Sequence, residues 1–335
     1  MKVLYIGGTG EISYECVHRS VAIGHEVTVF NRGRRDEPLP ESVRRITGDL
    51  SDDAGYAKLG EEGFDVVCQF LAYRMETVRR DVEVFGGACG QYVFISSASA
   101  YQKPPAQHVI TEQMPLENPY WPYSRAKAEM EAWLMGRHAD GALPVTIVRP
   151  SHTLRSRFPG GIARGDDWAW RMRTGRPIIV HGDGSSLWTL THSRDFALPF
   201  CNLLGNDRAI GEAFHITRHM ESYTWNEITH AVGQAIGAEP KIVHVPSETL
   251  ARYNADWAGP LLGDKAWSIL FDNSKVMSVA GEFECAFGLQ QAIDTAAEHY
   301  RKRADDYQGD QQLHALLDRI AAEQSALGGR LGVRG

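Results

Sequence analysis

Two residues into the chain an apolar run begins that passes straight into glycines: Lys2-Val3-Leu4-Tyr5-Ile6, then Gly7-Gly8-Thr9-Gly10. The run is continuous rather than alternating, which is how a strand reads when both faces of its sheet are covered. Behind the turn, Ile12, Tyr14, Val17 and Val21 recur at helical spacing over 11–23, and Gly24 supplies a stop. A buried strand joined to a helix by so short a glycine turn leaves few architectures open. The alternation then continues: 26–30, 45–47, 64–70, 91–96 and 144–149 read as strands, with helices near 74–88 and over 122–137. Strands and helices at this spacing predict right-handed βαβ units and an α/β fold built on a doubly wound parallel sheet, the Rossmann arrangement.

Past Pro150 the texture changes. Residues 154–190 are rich in glycine and carry Trp168, Trp170 and Trp188, with one short strand at 177–180 and another later at 241–245. The division expected is a cofactor-binding Rossmann domain over 1–153 plus about 192–216. A smaller mixed α/β C-terminal substrate lobe takes about 154–191 and 217–288, and 289–335 is a helical tail, read as a surface helix pair. Most of the tryptophans, Trp257 among them, are expected in cores rather than in a stacking platform. The 335 residues carry 35 basic and 42 acidic side chains, a net charge of −7, which makes nucleic acid an unlikely partner. Five cysteines with no CxxC pair fit a reducing cytoplasm, and a homodimer is possible. No apolar run reaches the roughly 20 residues of a membrane helix, and no His/Asp/Glu grouping has metal spacing, so neither membrane nor metal is expected.

Three stretches carry chemistry. The glycine turn sits where helix-terminal amides hold a dinucleotide pyrophosphate, and written out it is Gly7-x-x-Gly10-x-x-Ser13, with a small serine in place of a third glycine. Glu11 beside it is an unexpected acid. Tyr123-Ser124-Arg125-Ala126-Lys127 places a phenol and an ammonium on one helical face, where the cation favours the phenolate and the pair can move a proton. Ser96-Ser97-Ala98-Ser99 closes the fifth strand at the sheet edge where ligands of open α/β sheets bind.

In this order, glycine turn, strand-end serines and Tyr-x-x-x-Lys, the chain resembles the extended short-chain dehydrogenases/reductases of the NAD-dependent epimerase/dehydratase family. Gly48-Asp49-Leu50, Phe70-Leu71-Ala72, Arg149-Pro150 and Gly182-Asp183-Gly184, with His192 and Asp195 later, belong to the likeness, which runs to about Gly288. It implies Tyr123 as acid/base, Lys127 as its pKa-lowering, ribose-holding partner, and Ser97 as the hydrogen bond to the reacting oxygen. Gly7, Thr9, Gly10 and Ile12 would hold pyrophosphate, Asp49 and Leu50 the adenine side, Leu71 and Ala72 the cofactor's middle, and Pro150 and His152 the nicotinamide end. Asn31, Arg32 and Arg35 follow the second strand with no acid between them, which favours NADP over NAD.

The departures bear on the reaction. Ala98-Ser99 replaces the Asp-Glu pair of sugar-nucleotide dehydratases, and Trp188 stands where their relatives carry a diphosphate-gripping arginine. Lys265, Arg164 and Arg171 are the candidates to compensate, with Ser99, Trp188 and Lys265 the candidate substrate contacts. Asp81 and Gln69 replace a customary asparagine and histidine. The favoured function is an NAD(P)-dependent epimerase or reductase acting on a hydroxyl or keto carbon of a sugar or sugar-nucleotide, epimerisation first. The alternatives are a dehydrogenase/reductase of another small carbonyl compound, and a cofactor-binding regulator or RNA-associated protein. The last rests on likeness to chloroplast stem-loop-binding proteins at Asn31-Arg32-Gly33 and Phe271-Asp272-Asn273-Ser274-Lys275.

Overall fold

The computed structural model describes residues 1–35 and 37–330. Seven strands, β1 (Lys2–Ile6), β2 (Glu26–Asn31), β3 (Arg44–Thr47), β4 (Val66–Gln69), β5 (Gln91–Ile95), β6 (Val145–Pro150) and β7 (Ala213–Ile216), form one sheet in the order β7-β6-β5-β4-β1-β2-β3. Every neighbouring pair is parallel. The chain winds outward from β1 in one direction to β3 and in the other from β4 to β7, so the order reverses between β1 and β4. The carboxyl edge at that point is where such sheets open a crevice.

Helices cover both faces, which is why the strands read as unbroken apolar runs. On one side α1 (Ser13–Ala22) and the helix Ser193–Leu203 bury Cys16, Val17, Phe196 and Phe200 against Tyr5, Phe70 and Val148. On the other, α2 (Met75–Phe85) and α3 (Pro122–Ala139) bury Val78, Phe85, Met130 and Leu134 against Leu4, Val67 and Phe94. Gly24, at φ +87°, ends the first helical turn-out as expected.

A separate core lies beyond the sheet edge. Helices Gly165–Arg173, Trp225–Ile236 and Leu289–Arg301 gather Trp168, Trp188, Trp225, Ile293 and Tyr300 beside the strand Ile178–His181, which pairs in parallel with Ile242–Val245. Trp257 is buried in an adjoining cluster with Leu317 and Ile320. The stretch from 289 onward is therefore more than a surface helix pair: Ala292, Ile293, Ala296, Ala297 and Tyr300 are buried in one core, and Leu317, Ile320 and Ala321 in the next. Its charges and glutamines occupy the outward face of amphipathic helices. Arg171 is likewise no surface charge and no anion grip; fully buried, it donates to the carbonyls of Pro177 and His314 and to Asp318. Among the described residues no helix is long and apolar enough to cross a membrane.

Candidate active site

The crevice is a groove of about 680 Å³ that begins at the glycine turn. Gly7 sits at φ +95°, and a Cβ there would lie 2.6 Å from Leu71 Cγ. Ser13, read as merely small, also stitches the turn: its hydroxyl donates to the Gly7 carbonyl and accepts from the Gly10 amide at 3.0 Å. Thr9, Gly10 and Ile12 continue the wall. At the far end Asn31, Arg32 and Arg35 line the groove as expected, and so does Arg34. Asn31 accepts from the Gly33 amide at 2.9 Å and so shapes the arginine turn, while Arg35 donates to the Thr9 carbonyl at 3.1 Å. Asp49 and Leu50 face them. The Asp49 carboxyl is held below its ordinary value by hydrogen bonds from the Ser51 amide and hydroxyl, helped by Arg32 and Arg34. A turn with no room for a Cβ, a groove of dinucleotide size and cations at one end suit the cofactor that the sequence implies. Gly7→Ala is expected to weaken cofactor binding at least tenfold and to lower Tm. An L-residue in this backbone region costs about 1–2 kcal/mol before the Leu71 clash is added. Fluorescence titration and a melting curve check it, and wild-type affinity would contradict it.

Leu71 lines the groove, but Ala72 does not: it is fully buried and contributes its carbonyl to Lys127. Lys127 Nζ donates to Ala72 O at 2.7 Å and Ile95 O at 2.8 Å, 5.8 Å from the centre of the Tyr123 ring. Burial pushes this ammonium down to about 7, with Glu131 pulling the other way. The expected lowering of Tyr123 is absent: burial, with Tyr73 nearby, pushes the phenol up to about 12, and Ser97 offsets only part of that. Lys127, turned toward the Ala72 and Ile95 carbonyls, is not among the groups that offset this desolvation. Tyr123 is therefore a protonated acid at neutral pH.

Ser97 and Tyr123 form a shared wall between the groove and a second pocket of about 260 Å³, together with Pro150 and Ser151. Ser97 Oγ lies 2.9 Å from Ser99 Oγ, which lies 2.8 Å from Ser124 Oγ. Ser99, Trp188 and Lys265, the candidate substrate contacts, line the smaller pocket. His152 lines it too, and not the cofactor groove, because it tilts against Trp188 with ring centres 4.5 Å apart. Trp121, Asp264 and Phe271 are lining residues that sequence reasoning missed. Adjacency of Asp264 to Lys265 was the available signal.

Two oddities of the sequence find partners here. Glu11 lines the groove, but its carboxylate is engaged: it accepts from the amides of Arg155 and Ser156 at 3.1 and 2.9 Å and from the Ser156 hydroxyl. Burial would raise it, but the Ser156 hydroxyl, the Ser156 amide and the Arg155 charge and amide hold it below its ordinary value. Asp81, fully buried, accepts from Tyr56, Tyr92 and Gln69 at 2.7, 2.6 and 2.7 Å, and Gln69 accepts from the Leu71 amide at 2.8 Å. The replaced pair thus braces the loop that carries Leu71 and Ala72.

Known proteins share this build. The chain is 27% identical to 2'-dehydrokanamycin reductase of Streptomyces kanamyceticus, over 98% of its own length and 93% of that protein's. It is 29% identical to the chloroplast stem-loop binding protein of 41 kDa b of Arabidopsis thaliana, over 91% and 82%. Among solved structures, UDP-glucose 4-epimerase from Bifidobacterium longum, in complex with NAD+ and UDP, aligns with a TM-score of 0.72 at 17% identity, covering 92% of this chain and all of that one. At that identity the likeness is one of fold. The family model of the NAD dependent epimerase/dehydratase family matches residues 3–217, most of the chain and every strand of the central sheet. The chain belongs to the NAD dependent epimerase/dehydratase family.

Proposed function

We propose that the protein is an NADP(H)-dependent oxidoreductase that interconverts a ketone and a secondary hydroxyl on a compact, sugar-like molecule without an attached nucleotide. The observation that carries this reading is the meeting of the two cavities at Ser97 and Tyr123. When bound, the nicotinamide supplies or accepts hydride at the substrate carbon. Ser97 and Tyr123 hydrogen-bond the substrate oxygen, and Tyr123, protonated at neutral pH, passes its proton to that oxygen as the ketone is reduced. Lys127 holds the loop 71–72 to the end of β5 and would hold the ribose.

The pocket reorders the preference for epimerisation. At about 260 Å³ it falls below the usual 300–1,000 Å³ or so of ligand sites, and a ring that must turn over between two hydride transfers needs slack. Trp188, in the place of a diphosphate-gripping arginine, stacks on Trp225 at 4.4 Å and donates to Asp264 at 3.3 Å, which supplies no phosphate fork. Incubation with NADPH and a panel of compact keto-sugars should oxidise one cofactor per alcohol formed. A substrate inverted with no net change in cofactor would overturn the reading in favour of epimerisation. The groove arginines support NADP, and Arg32→Ala is expected to weaken NADP about 10- to 100-fold while leaving NAD nearly unchanged. Equal losses for both cofactors would remove that preference.

A further inference from the structure

Lys265 stands out among the pocket's residues. It is 8% exposed, at the end of a π-helical turn, Leu261–Lys265. Such turns are rare and tend to occur at functional sites. Its backbone is fixed: His181 and Ser186 both bond its carbonyl, each at 3.0 Å. The turn itself is clamped, since Asn118 donates to the carbonyls of Ser99 and Gly263 at 2.7 Å each. A Cβ on Gly263 would lie 2.8 Å from Trp121 Cβ. The side chain is thus aimed by a rigid frame into the pocket that Ser97 and Tyr123 close.

Its ammonium makes no hydrogen bond among the described residues. It lies 5.0 Å from the centre of the Trp188 ring and 3.9 Å from Asp264 Oδ2. Asp264 does not simply cancel it. Lys103, 2% exposed, donates to the Tyr101 carbonyl at 3.4 Å and is within Coulombic reach of the same carboxylate, to which Trp188 donates. Burial pushes both lysines below the ordinary ammonium value, with Asp264 pulling the other way, and a bound anion would favour their charged form. His152 on the facing wall adds no charge at neutral pH, since burial, with Lys265 beside it, pushes it down to about 3. An ammonium with no hydrogen bond and only a shared carboxylate at 3.9 Å keeps donors free for a ligand in the pocket it lines.

We propose that Lys265 is a specificity-determining residue that receives a carboxylate of the substrate, so that the molecule reduced or oxidised at Tyr123 is a carboxylated polyol ring such as a hexuronate. The inference rests on the oxidoreductase reading above for what happens to that ring. A carboxylate is favoured over a phosphate because the lining residues include no arginine, and so no bidentate fork for a dianion. A cationic aminosugar would meet the lysine head-on.

The test is calorimetric titration of the NADP+-loaded protein with hexuronates, the matching hexoses, hexosamines and hexose 6-phosphates, with cofactor reduction followed in parallel. The expected order puts a hexuronate about 10- to 100-fold tighter than its neutral counterpart. Lys265→Met should bring the two within about twofold, by raising KM rather than lowering kcat, whereas Lys265→Arg should keep the preference. If Lys265→Met fails to fold, the wild-type order decides alone. No hexuronate binding more tightly than its neutral, amino and phosphorylated counterparts overturns the proposal, and so does a preference that survives Lys265→Met. Selective binding without cofactor reduction supports the carboxylate site and instead sinks the oxidoreductase reading.

Discussion

Tyr123→Phe is expected to lower kcat by about 10²- to 10⁴-fold, the range for losing a positioned general acid, with little change in cofactor affinity. The phenol is half-buried on the wall that the two cavities share, with Ser97 as the hydroxyl beside it. Removing its oxygen keeps the ring's shape and takes away the proton. Because burial holds the group at about 12, the wild type is protonated throughout the neutral range, so reduction should not lose its acid as pH rises from 6 to 9. Steady-state kinetics in the reductive direction, with cofactor titration of the same variant, check both statements. Full turnover by the phenylalanine variant would remove Tyr123 from the chemistry.

The largest stability effect is expected one strand away. Arg149, near the end of β6, donates through Nε to both oxygens of Glu131 on α3 at 3.0 Å, and through Nη1 to Tyr101 at 3.1 Å. Both charged side chains are nearly sealed, with 7% and 4% of their surface exposed. Glu131→Ala leaves the guanidinium buried and uncompensated, which costs about 3–5 kcal/mol when one member of such a pair is lost. Urea unfolding should show a lower midpoint at unchanged slope. The paired change Glu131→Leu with Arg149→Met should recover most of the loss, since an apolar pair of similar volume avoids the desolvation of two ions. A single variant as stable as the wild type would show that water reaches the pair. The strand continues into Pro150 and Ser151 of the site, so activity is expected to fall with stability.

Local signals made the first half of the fold legible. The strand at Lys2–Ile6, its glycine turn and the helix behind it are each written in a few consecutive residues, and so is the four-residue spacing of Tyr123 and Lys127. What stayed hidden depends on residues far apart in the chain. Glu11 looked like a misplaced acid because its partners, Arg155 and Ser156, come more than a hundred residues later. Asp81 and Gln69 read only as replacements of a customary asparagine and histidine, because the tyrosines that satisfy Asp81 arrive from two other elements. His152 was drawn to the smaller pocket by Trp188, a contact that no periodicity encodes. The depression of Lys127 and the elevation of Tyr123 come from burial, which spacing cannot report.

The bonds from Arg155 and Ser156 to Glu11 tie the glycine turn to the segment that leaves His152 toward the second core. Two binding sites that share such a ligature obey a closed thermodynamic cycle. Whatever factor a bound cofactor adds to substrate affinity, the substrate must return to the cofactor. Where residues 152–156 carry that coupling, substitutions that weaken the bonds to Glu11 change the substrate's effect on cofactor affinity and the cofactor's effect on substrate affinity by the same factor.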